Sequence, residues 1–268
     1  MSKTTFLALG VSYCGAEYHG WQFQKDSIPT VQAEIERALS EVAAEPIRVI
    51  CAGRTDSGVH ATHQVVNFQT SAIRPLQAWV MGVNANLPDS ISVNWSREVP
   101  AEFNARHSAR ARRYVYLIHN NSVRSALFPT MLTRERRELD VSRMHEAGQL
   151  LLGENDFTSF RGAHCQSKTA IRNIHHLNVR KIDDVIVIDI KANAFLLHMV
   201  RNIAGVLMDI GAGKKETDWV SELLSLKDRS KASMTGSPKG LYLVDVVYPD
   251  HKELPSGPSM PHLLSSLV

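Results

Sequence analysis

Residues 53–60 read Gly53-Arg54-Thr55-Asp56-Ser57-Gly58-Val59-His60, two glycines bracketing an arginine and a lone aspartate. Just upstream lies an apolar, β-branched run from Ile47 to Ile50 and Cys51. Just downstream lies Val65-Val66-Asn67-Phe68. Strands over 47–52 and 64–69 are expected, with the octapeptide as the tight loop between them. The glycines allow the backbone angles such a loop needs, and one carboxylate is left projecting from it. A single carboxylate with a cation two residues away suits nucleophilic or acid–base work on an uncharged substrate.

Working outward, the first half alternates strand and helix. Phe6 to Tyr13 alternates as a strand does, and Cys14 to Gln24 is a loop rich in glycine and aromatics. Thr30 is placed to cap a helix whose apolar positions Val31, Ile35, Leu39 and Val42 recur every three or four residues. A helix from Pro75 to about Asn84, with Pro75 in its first turn, and a strand over 91–97 come next. The second half offers strands at Arg112–His119, Ile171–Val179, Val185–Ala192 and Leu241–Tyr248. Helices are expected at Val141–Leu152, Phe195–Ile210 and Thr217–Leu226. The pattern predicts an α+β fold of two α/β halves with largely antiparallel sheets. The expected domains are 1–105, carrying the Asp56 loop, and 106–250, with an extended tail over 251–268.

Composition narrows the class. The 268 residues are 44% hydrophobic and 21% charged, as in a globular protein rather than a disordered one. Net charge is +3, too small to demonstrate a polyanionic partner by itself. Cys14, Cys51 and Cys165 lie far apart with no C-x-x-C pair, which reads as reduced thiols of a cytoplasmic protein. No signal core and no run of about 20 apolar residues is seen, so no membrane association is expected.

Charge is clustered at one point. Arg106-His107-Ser108-Ala109-Arg110-Ala111-Arg112-Arg113-Tyr114 runs straight into Val115-Tyr116-Leu117-Ile118. Guanidinium forks grip phosphates and aromatic faces stack on unpaired bases, so this stretch suits single-stranded or loop RNA. The plainer reading is a solvated loop leading into a core strand. Period two puts Tyr114 and Tyr116 on one face, to line a cleft together or fill a core together. On a helical wheel Phe195, Met199, Ile203, Val206 and Ile210 share one arc, while Arg201 lies away from it near His198 and Gly205. That is ordinary amphipathicity, or an arginine held to pair with a carboxylate such as Asp56 across a cleft.

Three weaker patterns lose ground on chemistry. His60 and His63 near Asp56 lack a convincing third ligand, so no metal is expected. Asp56-Ser57-Gly58 matches an aspartic-protease triplet, but that chemistry needs two carboxylates sharing a proton and the chain has one triplet. His175-His176 reads as a structural pair. A non-catalytic RNA-binding protein is the remaining competitor, and Asp56 argues against it because a carboxylate in a positive groove repels phosphate.

Taken together, these stretches resemble the tRNA pseudouridine synthase A family. The likeness lies in the 53–61 loop, in Tyr13 to Trp21 (Y-x-G-x-x-Y-x-G-W), in Asn84 to Pro88 and in Phe103 through Tyr116. It continues in Gly153 to Phe160, Phe195 to Asn202 and Gly240 to Leu243, all in family order. Ser57 departs from the pattern, where the family more often has alanine. The resemblance implies a pseudouridine synthase fold whose halves meet at a central cleft, and isomerisation of uridine to pseudouridine at positions 38, 39 and 40 of the tRNA anticodon stem-loop. It also implies a cofactor-free mechanism and a homodimer. Carried over, Asp56 is the nucleophile, Tyr114 stacks on the target base, Arg201 pairs with Asp56, Arg54 helps grip the flipped nucleotide or its phosphates and Leu241 lies in the pocket floor. Arg106, Arg110, Arg112 and Arg113 are the expected RNA contacts.

Overall fold

The structure, a computed structural model, describes residues 4–25 and 27–260. In chain order the elements are β1 (Thr5–Tyr13), α1 (Val31–Ala43), β2 (Ile50–Cys51), β3 (His60–Thr70), α2 (Leu76–Asn86), β4 (Ile91–Glu98), β5 (Ala111–Asn120) and β6 (Thr133–Glu135). Then come α3 (Val141–Gln149), β7 (Gly153–Asp156), β8 (Ile171–Ile182), β9 (Val185–Ala192), α4 (Met199–Gly211), α5 (Trp219–Leu226) and β10 (Leu241–Val247). Two units are formed. One holds the described chain up to Arg110 and again from Leu243 onward, and the other spans Ala111–Tyr242. The chain crosses back inside its last strand, a crossing that no local signal marks. Strand membership is decided by pairing, which periodicity does not encode.

In the first unit the strands lie in the order β4-β1-β3-β10, with β2 also paired to β3. The β1–β3 ladder is antiparallel, matching Leu9 with Val66 and Tyr13 with Ala61. Thr30 caps α1 by accepting from the Ala33 N–H, as expected. Ile35, Ala38 and Leu39 give that helix its buried face. β2 is shorter than the strand expected over 47–52, because side chains of α1 take its backbone groups. The Ile47 N–H donates to Ser40 Oγ at 2.9 Å and the Val49 N–H to the buried Glu36 Oε1 at 3.0 Å. β3 is longer than expected and begins at His60, so the loop's last residue is already strand. Pro75 precedes α2 as its N-cap instead of lying in the first turn. The start of the expected tail is stitched down: Ser259 N–H donates to the Val244 carbonyl at 3.0 Å and Gly257 N–H to Asp245 Oδ1 at 3.1 Å. Residues 261–268 of that tail lie outside the described residues.

In the second unit β5, β9, β8 and β7 form an antiparallel ladder in that order, and β6 joins β5 in parallel. Neither β6 nor β7 is foreseen from the sequence, since three and four residues are too few to show a period. Asp140 caps α3 through the Arg143 N–H, and α3 ends at Gln149 instead of Leu152. α4 starts at Met199, four residues later than expected. His198, at φ 60°, stands in the left-handed region and cannot continue a helix backwards. Phe195 is therefore off the helix, and its place on the wheel is illusory. Eleven of the thirteen residues of α4 are buried, including Ile203, Val206 and Ile210. The architecture is α+β with largely antiparallel sheet, as the pattern predicts.

Candidate active site

Asp56 stands on the loop between β2 and β3, half-buried, between exposed Arg54 and Ser57 and next to buried Thr55. The segment 13–21 clasps this loop from one side. Trp21 N–H donates to the Thr55 carbonyl at 3.0 Å, and Gly58 N–H to the Tyr18 carbonyl at 3.3 Å. Tyr13 Oη and Thr55 Oγ1 lie 2.8 Å apart in a buried hydrogen bond, and Tyr13 packs against Trp21 with centroids 6.0 Å apart. Ser57 donates its hydroxyl to the Tyr18 carbonyl at 3.2 Å. Gly58, at φ 77°, makes the turn possible. Gly15 makes the clasp possible, since a methyl group there would lie 1.9 Å from the Val59 carbonyl oxygen. On the far side Gln64 reads both polar groups of Gly53, donating to its carbonyl at 2.6 Å and accepting from its N–H at 3.3 Å.

The clasp is the part of the site to which sequence reasoning gives no role. Its signal lies in Gly15 and Gly20, glycines spaced among aromatics, which mark a close approach of two backbones. What they approach is not a local property.

In the second unit Tyr114 and Tyr116 do share a face of β5, and both are buried. Tyr114 meets Phe195 edge-to-face, with centroids 5.1 Å apart at 85°. Burial raises the Tyr116 hydroxyl to about 12, against the opposing effects of the Thr133 hydrogen bond and the Arg201 charge. Of the basic stretch, Arg106 and Arg110 are exposed. Arg110 lies 3.5 Å from Asp250, an exposed pair worth little. Arg112 donates to the Asn193 carbonyl at 3.3 Å, and Arg113 grips Asp189 with both Nε, at 2.7 Å, and Nη2. Leu241, at the start of β10, is buried.

Arg201 is half-buried near the start of α4. Its Nε donates to the Gly236 carbonyl at 2.9 Å, and the Gly236 N–H donates to the Arg201 carbonyl at 3.0 Å. The flank of α4 that the wheel leaves open is thus covered by 234–236. A methyl group on Gly205 would lie 2.1 Å from the Met234 carbonyl oxygen.

His60 and His63 stand three apart on β3, on opposite faces. His60 Nδ1 accepts from the Gly15 N–H at 3.1 Å, and His63 Nδ1 lies 3.3 Å from Ser259 Oγ. Burial pushes the His63 imidazole below its ordinary range. His175 falls at a register shift in β8, and His176 Nε2 lies 3.8 Å from Asp189. Among the described residues no three His, Cys, Asp or Glu side chains are grouped as a metal ion requires. None of the three cysteines is in a disulfide, and no described helix is long and apolar enough to cross a membrane.

A family model described as tRNA pseudouridine synthase matches residues 10–108 and 147–249. Proteins called tRNA pseudouridine synthase A align over nearly the whole chain. The one from Mannheimia succiniciproducens is 55% identical over 97% of this chain and 98% of its own. Those from Actinobacillus pleuropneumoniae and Pseudomonas aeruginosa are 56% and 54% identical, over 93% and 97% of this chain and 95% and 92% of theirs. The crystal structure of a Cbf5-Nop10-Gar1 complex matches with a TM-score of 0.35 at 11% identity, over 88% of this chain and 48% of that one. The chain belongs to the tRNA pseudouridine synthase family, a family of isomerases.

Proposed function

We propose that this chain isomerises uridine to pseudouridine in tRNA, at positions 38, 39 and 40 of the anticodon stem-loop, as a cytoplasmic homodimer that needs no cofactor. The observation that carries this reading is the near-full-length identity to tRNA pseudouridine synthase A, together with an Asp56 loop whose backbone is held from both sides. Detaching a base and rejoining it through carbon calls for an ionised carboxylate, a pocket that retains the loose base, and a nucleotide drawn out of its stack.

Asp56 is the group that acts on the nucleotide, at ribose C1′, at ring C6, or as a base toward a glycal-type intermediate. Tyr114 stacks on the target base, Arg201 pairs with Asp56, Arg54 grips the flipped nucleotide and Leu241 floors the pocket. Arg106, Arg110 and Arg112 meet phosphates, and Arg113 contributes from its pair with Asp189. The test is to incubate purified protein with an unmodified tRNA transcript, adding neither metal nor nucleotide, and to map pseudouridine. The parent should modify the anticodon arm. Asp56→Asn should lose more than about 10³-fold in turnover while binding tRNA within a few-fold, since removing a negative charge does not weaken attraction to phosphate. Turnover retained by Asp56→Asn rejects the aspartate's role, and a parent that binds tRNA without modifying it supports a binding protein instead.

A further inference from the structure

Arg201 offers two edges to a carboxylate: a side edge formed by Nε with one terminal nitrogen, and an end edge formed by the two terminal nitrogens. The side edge is in use, because Nε donates to the Gly236 carbonyl at 2.9 Å. The Gly236 N–H returns to the Arg201 carbonyl, so that glycine holds both the main chain and the side chain of one residue. Gly236 is itself held through its neighbour Ser237. The buried Tyr116 hydroxyl donates to the Ser237 carbonyl at 2.8 Å and receives the Thr133 hydroxyl at 2.8 Å. Behind the helix, buried Asn202 accepts from Thr235 Oγ1 at 2.7 Å and from Arg229 at 3.0 Å, which fixes the start of the same segment.

We infer that Tyr116 and Gly236 are positioning residues, which turn the Arg201 guanidinium so that its end edge receives the catalytic carboxylate. The inference rests on the pairing of Arg201 with Asp56 proposed above. Glycine is required at 236 for a steric reason: a methyl group there would lie 2.7 Å from the Tyr116 hydroxyl oxygen and 3.0 Å from the Arg201 carbonyl oxygen. Removing the hydroxyl takes away the nearer obstacle, which makes the two positions interdependent.

The test is steady-state kinetics on unmodified tRNA transcript for Tyr116→Phe, Gly236→Ala and the double variant, with thermal melting as a check on folding. Tyr116→Phe should lower kcat about fivefold, the equivalent of one neutral hydrogen bond, with KM within about twofold. Gly236→Ala should lower kcat about 10²-fold by displacing the guanidinium. The double variant should be at least about threefold more active than Gly236→Ala alone, since coupled sites are not additive. Unchanged kcat in Tyr116→Phe, or losses that multiply in the double variant, would overturn the inference. If Gly236→Ala does not fold, Tyr116→Phe decides alone. An active parent with indifferent variants defeats only this inference, whereas a parent unable to make pseudouridine defeats the reading beneath it.

Discussion

In the Asp56 loop two of the fixing contacts run directly between peptide groups, alongside side-chain bonds from Tyr13, Ser57 and Gln64. The Thr55 and Tyr18 carbonyls are met by the N–H groups of Trp21 and Gly58, and Gly15 lets two backbones touch. Around Arg201 one hydrogen bond between peptide groups, from the Gly236 N–H to the Arg201 carbonyl, is joined by a chain of side-chain contacts: the guanidinium on Gly236, Tyr116 on Ser237, and Asn202 on Thr235 and Arg229. Backbone contacts have little freedom to relax, whereas side chains change rotamer at modest cost. The aspartate is therefore set rigidly by the path of the chain, and the arginine by a network that single substitutions retune.

Gly15→Ala tests the rigid half and should have the largest effect. Its methyl would meet the Val59 carbonyl, with no side chain to give way, so a loss of about 3 kcal/mol in unfolding free energy is expected by denaturant titration. Gly205→Ala makes a similar clash with the Met234 carbonyl in the other region. Equal losses at 15 and 205 would break the comparison.

Arg201→Lys comes next. A lysine keeps the charge but has one nitrogen to divide between the Gly236 carbonyl and a carboxylate, so kcat should fall about 10²-fold while the fold survives. Activity near that of the parent would mean that the guanidinium's planar fork is not used.

If Tyr114 stacks on the target base as proposed, Tyr114→Ala removes a base–aromatic contact of about 1–3 kcal/mol and should raise the Kd for tRNA, while Tyr114→Phe should keep binding and lose turnover only if the hydroxyl moves a proton. Because Tyr114 also packs on Phe195, Tyr114→Ala should lower Tm as well. A lowered Tm with unchanged binding would assign the ring to the core.

The smallest effect concerns acid. Burial raises the Asp209 carboxyl, but hydrogen bonds from Arg137 and Ser233 and the Lys214 charge more than offset it, leaving it below its ordinary value of 3.8. A depressed carboxyl adds stability that is present above its unfolded value and lost as pH falls through its folded one. Since Ser233 precedes the segment holding Arg201, protection of the 234–237 amides relative to their intrinsic exchange rates should fall below about pH 3.8 in the parent. Asp209→Asn should remove that pH dependence, and its persistence would detach the network from Asp209.

Much of this is legible in the chain itself, for local reasons. Thr30 announces α1 because a hydroxyl at an N-cap has one peptide group to satisfy, three residues on. The Asp56 loop falls between strands because its glycines and flanking apolar runs are neighbours in the chain. The start of α4 is misjudged because an apolar Phe195 continues the helical period, while the backbone turn at His198 leaves no trace in hydropathy. β2 is expected too long because Ile47 and Val49 look like strand residues, and only the folded chain brings Ser40 and Glu36 to their N–H groups.

By itself, then, the sequence determined the family, the α+β class, the aspartate's place on a turn and the basic, aromatic strand that opens the second unit. Tertiary structure alone decided that 13–21 would clasp the Asp56 loop, that 234–237 would hold Arg201, and that the chain from Leu243 would rejoin the first unit. The physical reason is one of range. Periodicity, capping and turn chemistry are settled among residues a few positions apart. Which distant carbonyl an N–H finds is settled only when the whole chain has chosen its packing.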